Sequence, residues 1–596
     1  MMMHRIWTLL LVLLLITPAR AKDSLPEWTK GAVWYQILPE RFRNVNPAND
    51  PLKQQVVGKE VKDWQIHPWA SDWYKLQIWE IERGLDFEAL VWGRRYGGDL
   101  LGVMEKLRYL KDLGVDVIYL NPVFESPSVE KFDAATFHHI DDNFGLDRDG
   151  DREKIENEKE DPKTWTLTKA DEVFLELISE AHKLEMKVVI DAVFHYCGRE
   201  FWAFKDLQEK QQKSAYKDWF EVLSWDDPVT PDTVEFAYTS RQNDKQLPLF
   251  KKGENGPAQP VKKYLLDVTR RWLDPNGDGS PVDGVDGWVI HDAQELGSSF
   301  VAEWTKLVKS INPLALTVAD RKETQGWGEN PFDLIANYHL TPVMQDFFIA
   351  TGGKRAVSQF NAQLEQWRQA LPVSVFHSAL NRLSDYKKER IATVIRNSSA
   401  TGSHDGAIQN GHYYDPRKPD KENIQSQKLL TIFQLTYPGA PVILFGDESG
   451  MWGGDYRDVL KPMLWRDFVY EKESYSTIRP DLKDEIPNVF DAELFDLYRR
   501  LNKIRHDHPA IQKGDFQTIL VDDAKSLYAF SRRFDKNEVI VILNNSDQRQ
   551  EFEFTMAWND KNKVKDVLNE KKYLSIDGKV KVSLEKKWGA ILIKLK

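Results

Sequence analysis

Eight short apolar runs alternate with segments of helical periodicity, and this alternation is the feature that most constrains the fold. The segment LLGVMEKLRYLKDLG (residues 100–114) has apolar residues at helical spacing, and the run DVIYLNPVF soon after it has the pattern of a buried strand. Strand–helix alternation favours a parallel sheet, and eight repeats predict a closed (β/α)8 barrel of the α/β class. The predicted strands cover residues 31–39, 116–124, 187–194, 288–290, 315–320, 334–339, 374–379 and 441–448.

The pattern changes after a helix near residues 494–504. The runs SLYAFSRRF, EVIVILNNS, QEFEF and KVKVSL are short and regularly spaced, which predicts a C-terminal antiparallel β-sandwich over residues 511–596. The barrel domain then covers residues 22–510, with irregular insertions at about 51–96 and 197–262, and the second insertion forms a small domain after strand 3. The tryptophans of the first insertion favour packing against the barrel over a platform for sugar rings.

Composition and the N-terminus restrict the compartment and the partners. The net charge is −11 and no basic stripe occurs, which argues against nucleic-acid binding. His4 and Arg5 precede an apolar run that is too short to span a bilayer, and Ala19 and Ala21 offer a cleavage site, so residues 1–21 are predicted to be a signal peptide. We therefore expect a secreted or periplasmic protein without a transmembrane anchor after cleavage. Its single cysteine excludes an intrachain disulfide.

Four longer motifs occur in order along the barrel. They are NPVFES (residues 121–126), FDAATFHHIDDNFG (132–145), YPGAPVILFGDESGMWGGD (437–455) and KPMLW (461–465). Together they resemble the α-amylase family, glycoside hydrolase family 13, and its neopullulanase- and cyclomaltodextrinase-like members. The resemblance implies carbohydrate metabolism with an α-glucan or maltooligosaccharide as the ligand. It also implies a retaining mechanism, in which one carboxylate attacks the sugar, a second protonates the leaving oxygen, a third acid holds the ring and an arginine keeps the nucleophile ionised.

The stretch GVDGWVIHDAQE (residues 284–295) resembles the fourth strand of that family, but its catalytic positions differ. His291 stands at the nucleophile position and Val289 at the position of the arginine. Asp320, at the end of strand 5, stands at the acid/base position, and Ala379 in HSALNR stands where the third acid is expected. Asp292 is adjacent to the nucleophile position, but strand alternation directs its side chain away from the site unless the strand bulges.

Other polar and aromatic residues at the predicted mouth of the barrel are candidates for substrate binding. Histidines end strands 3, 4, 6 and 7, and with Asp320 they could bind a transition metal, since imidazole suits Zn²⁺ and related ions. His291 and Asp320 could instead form an acid–base pair, and the favoured interpretation is that these histidines line a vacated pocket. The substrate-binding candidates are Phe132, Asp133, Asp191, His195, Tyr196, His339, His377 and Arg382.

The loop RFRNVNPANDP carries oxygen-bearing side chains at close spacing. Such a cluster suits Ca²⁺, which takes about six to eight oxygen ligands, or an ordinary Asn/Pro turn. Some members of the resembled family bind Ca²⁺ with a similar loop and complete the site from a later GGD. The resemblance therefore implies a calcium site in which Asn46 replaces an aspartate and lowers the ligand charge. The implied ligands are Asn44, Asn46, Asn49, Asp50, Gly97 and Asp99.

All three acidic positions of the predicted catalytic set are altered. Loss of one member of a catalytic set costs on the order of 10³- to 10⁶-fold in rate. We therefore expect an exported α-amylase-like pseudoenzyme that binds α-glucan with lost or strongly impaired glycosidase activity. Two alternatives remain open: an active hydrolase or transglycosidase that uses Asp320 and a rearranged Asp292, and a non-catalytic module that binds a protein partner.

Overall fold

The computed structural model describes residues 25–57, 61–227, 229, 235–320, 332–349, 355–371, 373–398, 415–454, 457–556 and 563–595. The predicted signal peptide lies outside these ranges. Within them, no helix combines the length and the apolar character needed to cross a bilayer.

Eight parallel strands close into a barrel, which confirms the predicted fold class. Neighbouring strands pair in chain order, and β8 closes the ring on β1, with Val442 opposite Trp34. The strand residues are almost all buried, as expected for strands with helices outside and packed side chains inside. The barrel strands are β1 Trp34–Ile37, β2 Val117–Leu120, β3 Lys187–Ala192, β4 Gly287–His291, β5 Leu316–Asp320, β6 Leu334–Asn337, β7 Leu380–Arg382 and β8 Ala440–Leu444.

Helices surround the barrel and fill its insertions. The longer ones are amphipathic, because apolar residues recur at helical spacing and bury one face; α7, for example, buries Val173, Phe174, Leu177 and Ile178. The α-helices of the described ranges are α1 Lys53–Val56, α2 Ile78–Arg83, α3 Phe87–Leu90, α4 Leu100–Glu105, α5 Leu107–Leu113, α6 Arg148–Ile155, α7 Lys169–Lys183, α8 Trp202–Lys210, α9 Gln259–Leu273, α10 Ser298–Ile311, α11 Leu340–Phe348, α12 Val357–Ala370, α13 Val373–Phe376, α14 Ile391–Arg396, α15 Lys421–Thr436, α16 Ala492–Asp507 and α17 Pro509–Lys513.

Strand 7 lies later in the chain than predicted. Residues 374–379, predicted as a strand, belong to the short helix α13 and the turn after it. The prediction was wrong because the run SVF favours a strand locally, whereas Asn381 and Arg382 are unusually polar for a barrel strand. Long-range hydrogen bonds satisfy Asn381: its Nδ2 donates to Pro438 O at 2.8 Å, and its backbone O accepts from Gln434 Nε2 at 2.9 Å.

The later start of β7 moves two predicted site residues away from the mouth of the barrel. The backbone oxygen of His377 accepts from Gly31 N (3.2 Å), just before β1, and that of Ala379 accepts from Ala440 N (2.8 Å), at the start of β8. Both residues therefore lie at the N-terminal end of the barrel, whereas active sites of this fold lie at the C-terminal ends of the strands. The predictions that His377 lines the mouth and that Ala379 marks the third-acid position are wrong.

An antiparallel β domain follows the barrel, as predicted. Six strands form one sheet in the order β9-β10-β11-β16-β13-β14, and β12 pairs with β15 in a smaller sheet. Side chains such as Phe552 and Val582 form an apolar core between the two sheets. The larger sheet also packs on the barrel, where the rings of Phe530 and Phe433 lie 6.1 Å apart. The strands are β9 Asp515–Asp522, β10 Leu527–Phe534, β11 Asn537–Asn544, β12 Gln550–Thr555, β13 Lys563–Asp566, β14 Lys571–Leu574, β15 Lys579–Leu584 and β16 Trp588–Lys594.

The two insertions differ in their relation to the barrel. In the first, Trp73 Nε1 and Tyr74 OH both donate to the Asp458 carboxylate, at 2.9 and 2.6 Å, so these rings are fixed by packing and hydrogen bonds. The second contains α8 and two short hairpins, and its Phe250 N donates to His195 O at 3.0 Å. The second insertion thus lies beside the C-terminal end of β3, where it can contribute to a site.

Candidate active site

Three polar side chains gather where neighbouring strands end. Asp191 lies near the end of β3, His291 ends β4 and Asp320 ends β5. His291 is opposite Asp320 in the sheet register, and Asp191 is opposite Val289. Because residues two apart on a strand share a face, Val289 and His291 project to the same side of the sheet. All three polar side chains are buried at the mouth of the barrel.

His291 bridges the two carboxylates. Its Nε2 lies 2.7 Å from Asp191 Oδ2, and its Nδ1 lies 2.8 Å from Asp320 Oδ2. Burial lowers the pKa of His291, but the two carboxylates outweigh burial and raise that pKa to about 9. The ring is therefore an imidazolium near neutral pH, with one N–H directed at each carboxylate.

The two carboxylates differ in how firmly they are ionised. Burial raises the pKa of Asp320, but His291, Arg382 and the hydroxyl of Tyr338, which donates to Asp320 Oδ1, hold that pKa well below its usual range. Burial also raises the pKa of Asp191, and here the raising effect prevails over His291 and over the Tyr119 hydroxyl, which donates to Asp191 Oδ2 at 3.0 Å. Asp320 is thus a firmly ionised carboxylate, and Asp191 holds its charge less firmly.

Arg382 supplies the second positive charge of the site. Its guanidinium carbon lies 5.7 Å from the ring centre of Tyr119 and 6.0 Å from that of Tyr338. The side chain is buried, and none of its three guanidinium nitrogens has a hydrogen-bond partner among the described residues. Arg382 is on β7, three strands along the barrel from Val289 on β4, the position where the sequence resemblance places an arginine.

Aromatic side chains cover the mouth. The Phe132 ring meets His291 edge to face, with centres 5.1 Å apart, and stacks on Tyr386 at 5.7 Å. Lys387 Nζ lies 4.7 Å from the centre of the Phe132 ring. Sequence reasoning missed Tyr386 and Lys387, because strand 7 was assigned to the wrong residues. With β7 in its observed position, both residues lie in the segment that follows Arg382, at the C-terminal end of the strand.

A second polar group lies beside this triad. Asp292 has a left-handed backbone (φ 48°), which turns its carboxylate toward the second insertion. Asp292 Oδ2 lies 3.1 Å from Arg241 Nη2 and 3.9 Å from His195 Nε2. Burial lowers the pKa of His195 to about 4. Tyr196 contributes its ring, which lies 5.4 Å from the Arg241 guanidinium carbon. Asp292 is therefore paired with Arg241, and no contact with the His291 ring is formed within the described part of the chain.

The remaining predicted residues lie apart from His291. The Asp133 carboxylate accepts the hydroxyls of Ser126 and Ser128 and fixes a turn. His339 is exposed and its ring stacks on Trp367 at 4.9 Å. The acid that follows β7 is Asp385, whose Oδ1 accepts from Lys387 N at 2.9 Å.

The rim histidines do not converge on one point. His291 contacts carboxylates, His195 contacts Asp292, His339 contacts Trp367, and His377 lies at the other end of the barrel, where burial lowers its pKa to about 4. Among the described residues, groups of three metal-binding side chains occur at His138/His139/Glu158 and at Glu125/Asp141/Asp142. Neither group includes a rim histidine, so the structure gives no support to a metal site at the rim.

The predicted calcium loop brings several oxygens together. Asn44 Oδ1 and Asn49 Oδ1 are buried and have no hydrogen-bond partner in the described ranges, while Asn44 Nδ2 donates to Asp50 Oδ1 at 2.7 Å. Burial raises the pKa of Asp50 to about 7. Gly97 has φ 72°, and a Cβ there would overlap the Asp50 carboxylate, so only glycine fits.

Two of the predicted calcium ligands serve the backbone instead. Asp99 caps α4 through Gly102 N (2.6 Å) and accepts from Asn46 N (2.9 Å) with its other oxygen. The Asn46 side chain accepts from Ala48 N at 3.4 Å and caps its own turn. Among the side chains of the predicted ligands, those of Asn44, Asn49 and Asp50 have an oxygen that accepts no backbone N–H from the described residues.

Comparison with known proteins identifies the family. The sequence profile described as "Alpha amylase, catalytic domain" matches residues 36–160 and 169–514. Neopullulanase 2 of Thermoactinomyces vulgaris is 32% identical over 88% of this chain and 71% of its own length, and a cyclomaltodextrinase of Thermoanaerobacter pseudethanolicus is 29% identical over 88% and 72%. The structure of a cyclic α-maltosyl-(1→6)-maltose hydrolase from Arthrobacter globiformis shares the fold, with a TM-score of 0.67 and 22% identity over 96% of this chain and all of that one. The chain therefore belongs to the α-amylase catalytic-domain family.

Proposed function

We propose that the protein is exported, binds an α-glucan or maltooligosaccharide at the mouth of its barrel, and has lost efficient glycosidase activity. Family membership and the names of its relatives, neopullulanase and cyclomaltodextrinase, support α-glucan as the ligand class. The basic and apolar pattern of residues 1–21 supports export. The observation that carries the loss of activity is the closed ion triad of Asp191, His291 and Asp320.

His291 stands at the predicted nucleophile position but offers no attacking atom. A retaining glycosidase needs a carboxylate that forms and then releases a glycosyl ester. Both ring nitrogens of His291 contact carboxylates, and a pKa of about 9 keeps both protonated near neutral pH. An imidazolium has two N–H donors and no free lone pair on nitrogen.

Asp320 stands at the predicted acid/base position but holds no proton to donate. A general acid works best when its pKa lies near the working pH. The pKa of Asp320 is held well below its usual range, since burial is outweighed by His291, Arg382 and Tyr338. The carboxylate is therefore ionised and committed to an ion pair, so protonation of a leaving oxygen would first require the triad to open.

Ligand binding needs aromatic faces and a few polar groups but no catalytic acids, and the mouth of the barrel has such faces and groups. The half-buried Phe132 ring, the Tyr386 ring stacked on it and the exposed Lys387 combine apolar faces with a charged group. Binding sites for small molecules typically pair aromatic walls with a few polar groups that fix orientation. Asp292 and Arg241 offer further polar atoms beside the triad.

Calorimetry with maltoheptaose and cyclodextrins tests the binding proposal. We expect saturable heat with the wild type, and at least ~10-fold weaker affinity for Phe132→Ala, because loss of an aromatic anchor removes on the order of 1.4 kcal/mol or more. Phe534→Ala is the matched control, since Phe534 is partly exposed (38%) on the C-terminal sheet. Absence of heat at millimolar ligand, or equal weakening by both variants, would contradict α-glucan binding at this mouth.

Release of reducing sugar tests the proposed loss of activity separately. We expect wild type, Asp320→Ala and Asp292→Ala to match a protein-free blank with maltoheptaose and with cyclodextrins. Turnover that Asp320→Ala or Asp292→Ala abolishes would instead establish an active hydrolase built on rearranged acids. A protein that neither binds nor cleaves these glucans would favour a partner-binding module.

We also propose a Ca²⁺ site in the loop of residues 44–50. The residues fit a hard cation, since Asn44 Oδ1 and Asn49 Oδ1 are buried without a partner in the described chain and the Asp50 carboxylate lies beside them. Chelation should lower the thermal midpoint by a few degrees, and Ca²⁺ should restore it in the wild type but not in Asp50→Ala. An unchanged midpoint in chelator would rule the site out.

A further inference from the structure

A second group of histidines lies outside the mouth of the barrel. His138 and His139 are consecutive residues in the segment between β2 and α7, and Glu158 lies in the loop after α6. All three side chains are buried, and their metal-binding atoms lie within 4.8 Å of one another. The proposed glucan site uses none of them.

Hydrogen bonds on the far nitrogen orient both rings. Asp171 Oδ2 lies 2.8 Å from His139 Nδ1. Thr136 Oγ1 and Tyr264 OH each lie 2.8 Å from His138 Nδ1. A carboxylate or hydroxyl on one ring nitrogen is how proteins usually fix a histidine whose other nitrogen binds a metal. In both rings the nitrogen left to face Glu158 is Nε2.

Glu158 presents one oxygen to the two rings. Its Oε1 accepts from the backbone N and the hydroxyl of Thr166, at 2.8 and 2.7 Å. Its Oε2 lies 2.8 Å from His139 Nε2 and 3.8 Å from His138 Nε2. The carboxylate is thus held by one oxygen, and the other is directed between two imidazole nitrogens.

These separations fit a tetrahedral ion. With metal–ligand bonds of about 2.0–2.1 Å, neighbouring ligand atoms of a tetrahedron lie about 3.3 Å apart. The two separations from Glu158 Oε2, 2.8 and 3.8 Å, lie on either side of that value, and all three ligand atoms lie within 4.8 Å of one another, so side-chain shifts toward a common centre would seat an ion. Two imidazole nitrogens and one carboxylate oxygen suit Zn²⁺ and similar ions and are a poor set for Ca²⁺, which prefers oxygen.

We propose that His138, His139 and Glu158 bind a divalent transition-metal ion of the Zn²⁺ class, with a water molecule as the fourth ligand. The ion would join the loop between α6 and α7, which carries Glu158, to the segment between β2 and α6, which carries the two histidines. Arg271 on α9 supports the same assembly, since its Nη2 donates to Asp171 Oδ2 at 3.0 Å. The proposed role is to anchor a loop, and it is independent of the glucan-binding proposal.

Metal analysis of the full-length, untagged protein tests this site. The protein is stripped with chelator, loaded with Zn²⁺ in the presence of excess Ca²⁺ to occupy oxygen-rich sites, and dialysed. We expect about one Zn²⁺ per chain in the wild type, about none in His138→Gln and Glu158→Gln, and a thermal midpoint that Zn²⁺ raises in the wild type but in neither of these two variants. His182→Gln is the matched control, because His182 also contacts a carboxylate, Asp286 at 2.7 Å, without belonging to a three-ligand group.

Co²⁺ substitution keeps the test decisive if a variant fails to fold. Wild-type protein loaded with one equivalent of Co²⁺ should show the intense visible absorption of a tetrahedral site, and Zn²⁺ should displace it. Substoichiometric Zn²⁺ together with no tetrahedral Co²⁺ spectrum would overturn the proposal. Retention of Zn²⁺ by folded His138→Gln and Glu158→Gln would overturn it as well.

Discussion

Two buried histidines of this chain have the same immediate contacts and different surroundings. Both His291 and His139 have a carboxylate oxygen beside each ring nitrogen, at 2.7–2.8 Å. His291 lies at the mouth of the barrel, and His139 lies in the segment between β2 and α7. The carboxylates are Asp191 and Asp320 at His291, and Glu158 and Asp171 at His139.

The first difference between the two sites is the set of additional hydrogen-bond donors that the carboxylates accept. Ile140 N donates to Asp171 Oδ1 at 2.8 Å, and Thr166 N donates to Glu158 Oε1 at 2.8 Å. Burial raises the pKa of each acid, but His139, together with these donors and, at Asp171, with Arg271, outweighs burial, so both pKa values lie below their ordinary range. Asp191 has no backbone donor among the described residues and its pKa is raised by burial. Backbone N–H groups therefore help to keep Asp171 and Glu158 ionised, whereas Asp320 depends on His291, Arg382 and Tyr338.

The neighbouring ring makes the second difference. His139 lies beside His138, with ring centres 4.7 Å apart, so a second imidazole nitrogen is available to share an ion. His291 lies beside Phe132, whose ring offers no ligand atom. The same histidine–carboxylate arrangement can therefore orient a metal ligand in one place and form a closed ion triad in the other.

Removal of one of the two carboxylates beside His139, or of one beside His291, should have the largest effect. Asp171→Ala should lower the free energy of unfolding by about 5 kcal/mol, because it breaks a buried ion pair and also removes the reciprocal cap between Asp171 and Thr168 at the start of α7. Asp320→Ala should cost about 3 kcal/mol, since it leaves Arg382 and His291 to share Asp191. Urea unfolding measures both values.

A surface variant provides the control for these costs. Asp267→Ala removes only the surface ion pairs with Lys263 and Arg270, so it should cost less than about 1 kcal/mol. If Asp171→Ala were no more destabilising than Asp267→Ala, the buried ion pair with His139 and the cap at Thr168 would stabilise the fold no more than a surface ion pair does.

Sequence reasoning was most successful where a long apolar run determines a strand. Seven barrel strands lie within their predicted ranges or extend them by a residue, and the C-terminal β domain was correctly expected. Strand 7 was not recoverable, because the strand Leu380–Arg382 is short and polar and is stabilised by partners far along the chain, such as Pro438 and Gln434. An isolated sequence gives no sign of such bonds.

The residues of the candidate site could be predicted only where they lie at the ends of predicted barrel strands. Asp191, His291 and Asp320 follow from the ends of three adjacent strands, and the structure brings them into contact. Tyr386 was missed with strand 7. The group at His139 was missed because its members lie 19 and 32 positions away, and no periodicity relates such residues.

The pH dependence of stability should separate the triad at the mouth from the rest of the molecule. Because the pKa of His291 rises from 6.5 to about 9 in the folded state, its protonation contributes about 3 kcal/mol. Such a histidine stabilises the folded state fully below its unfolded-state pKa of 6.5. This stabilisation is lost as the pH rises through the folded-state pKa of about 9. The wild type should therefore lose about 3 kcal/mol more than His291→Gln between pH 6.5 and 9.5, measured by urea unfolding.

The comparison between variants is needed because His139 changes stability in the same direction. Its pKa is also raised, since Asp171 and Glu158 outweigh burial. His139 is present in both proteins, so its effect cancels in the difference. Parallel stability curves for wild type and His291→Gln would show that His291 does not carry the expected proton.

The smallest expected effect comes from removing one hydroxyl donor from Asp191 and one from Glu158. Tyr119→Phe removes the hydroxyl that donates to Asp191 and leaves His291 as its only donor among the described residues, so it should cost about 1–1.5 kcal/mol. Thr166→Val removes a hydroxyl from Glu158, but the Thr166 backbone N–H remains and the residue is exposed, so water can replace the lost bond and the cost should be below about 0.5 kcal/mol. Urea unfolding at pH 6.5 compares the two. A larger loss for Thr166→Val than for Tyr119→Phe would mean that the Thr166 backbone N–H and water do not compensate for the lost hydroxyl at Glu158.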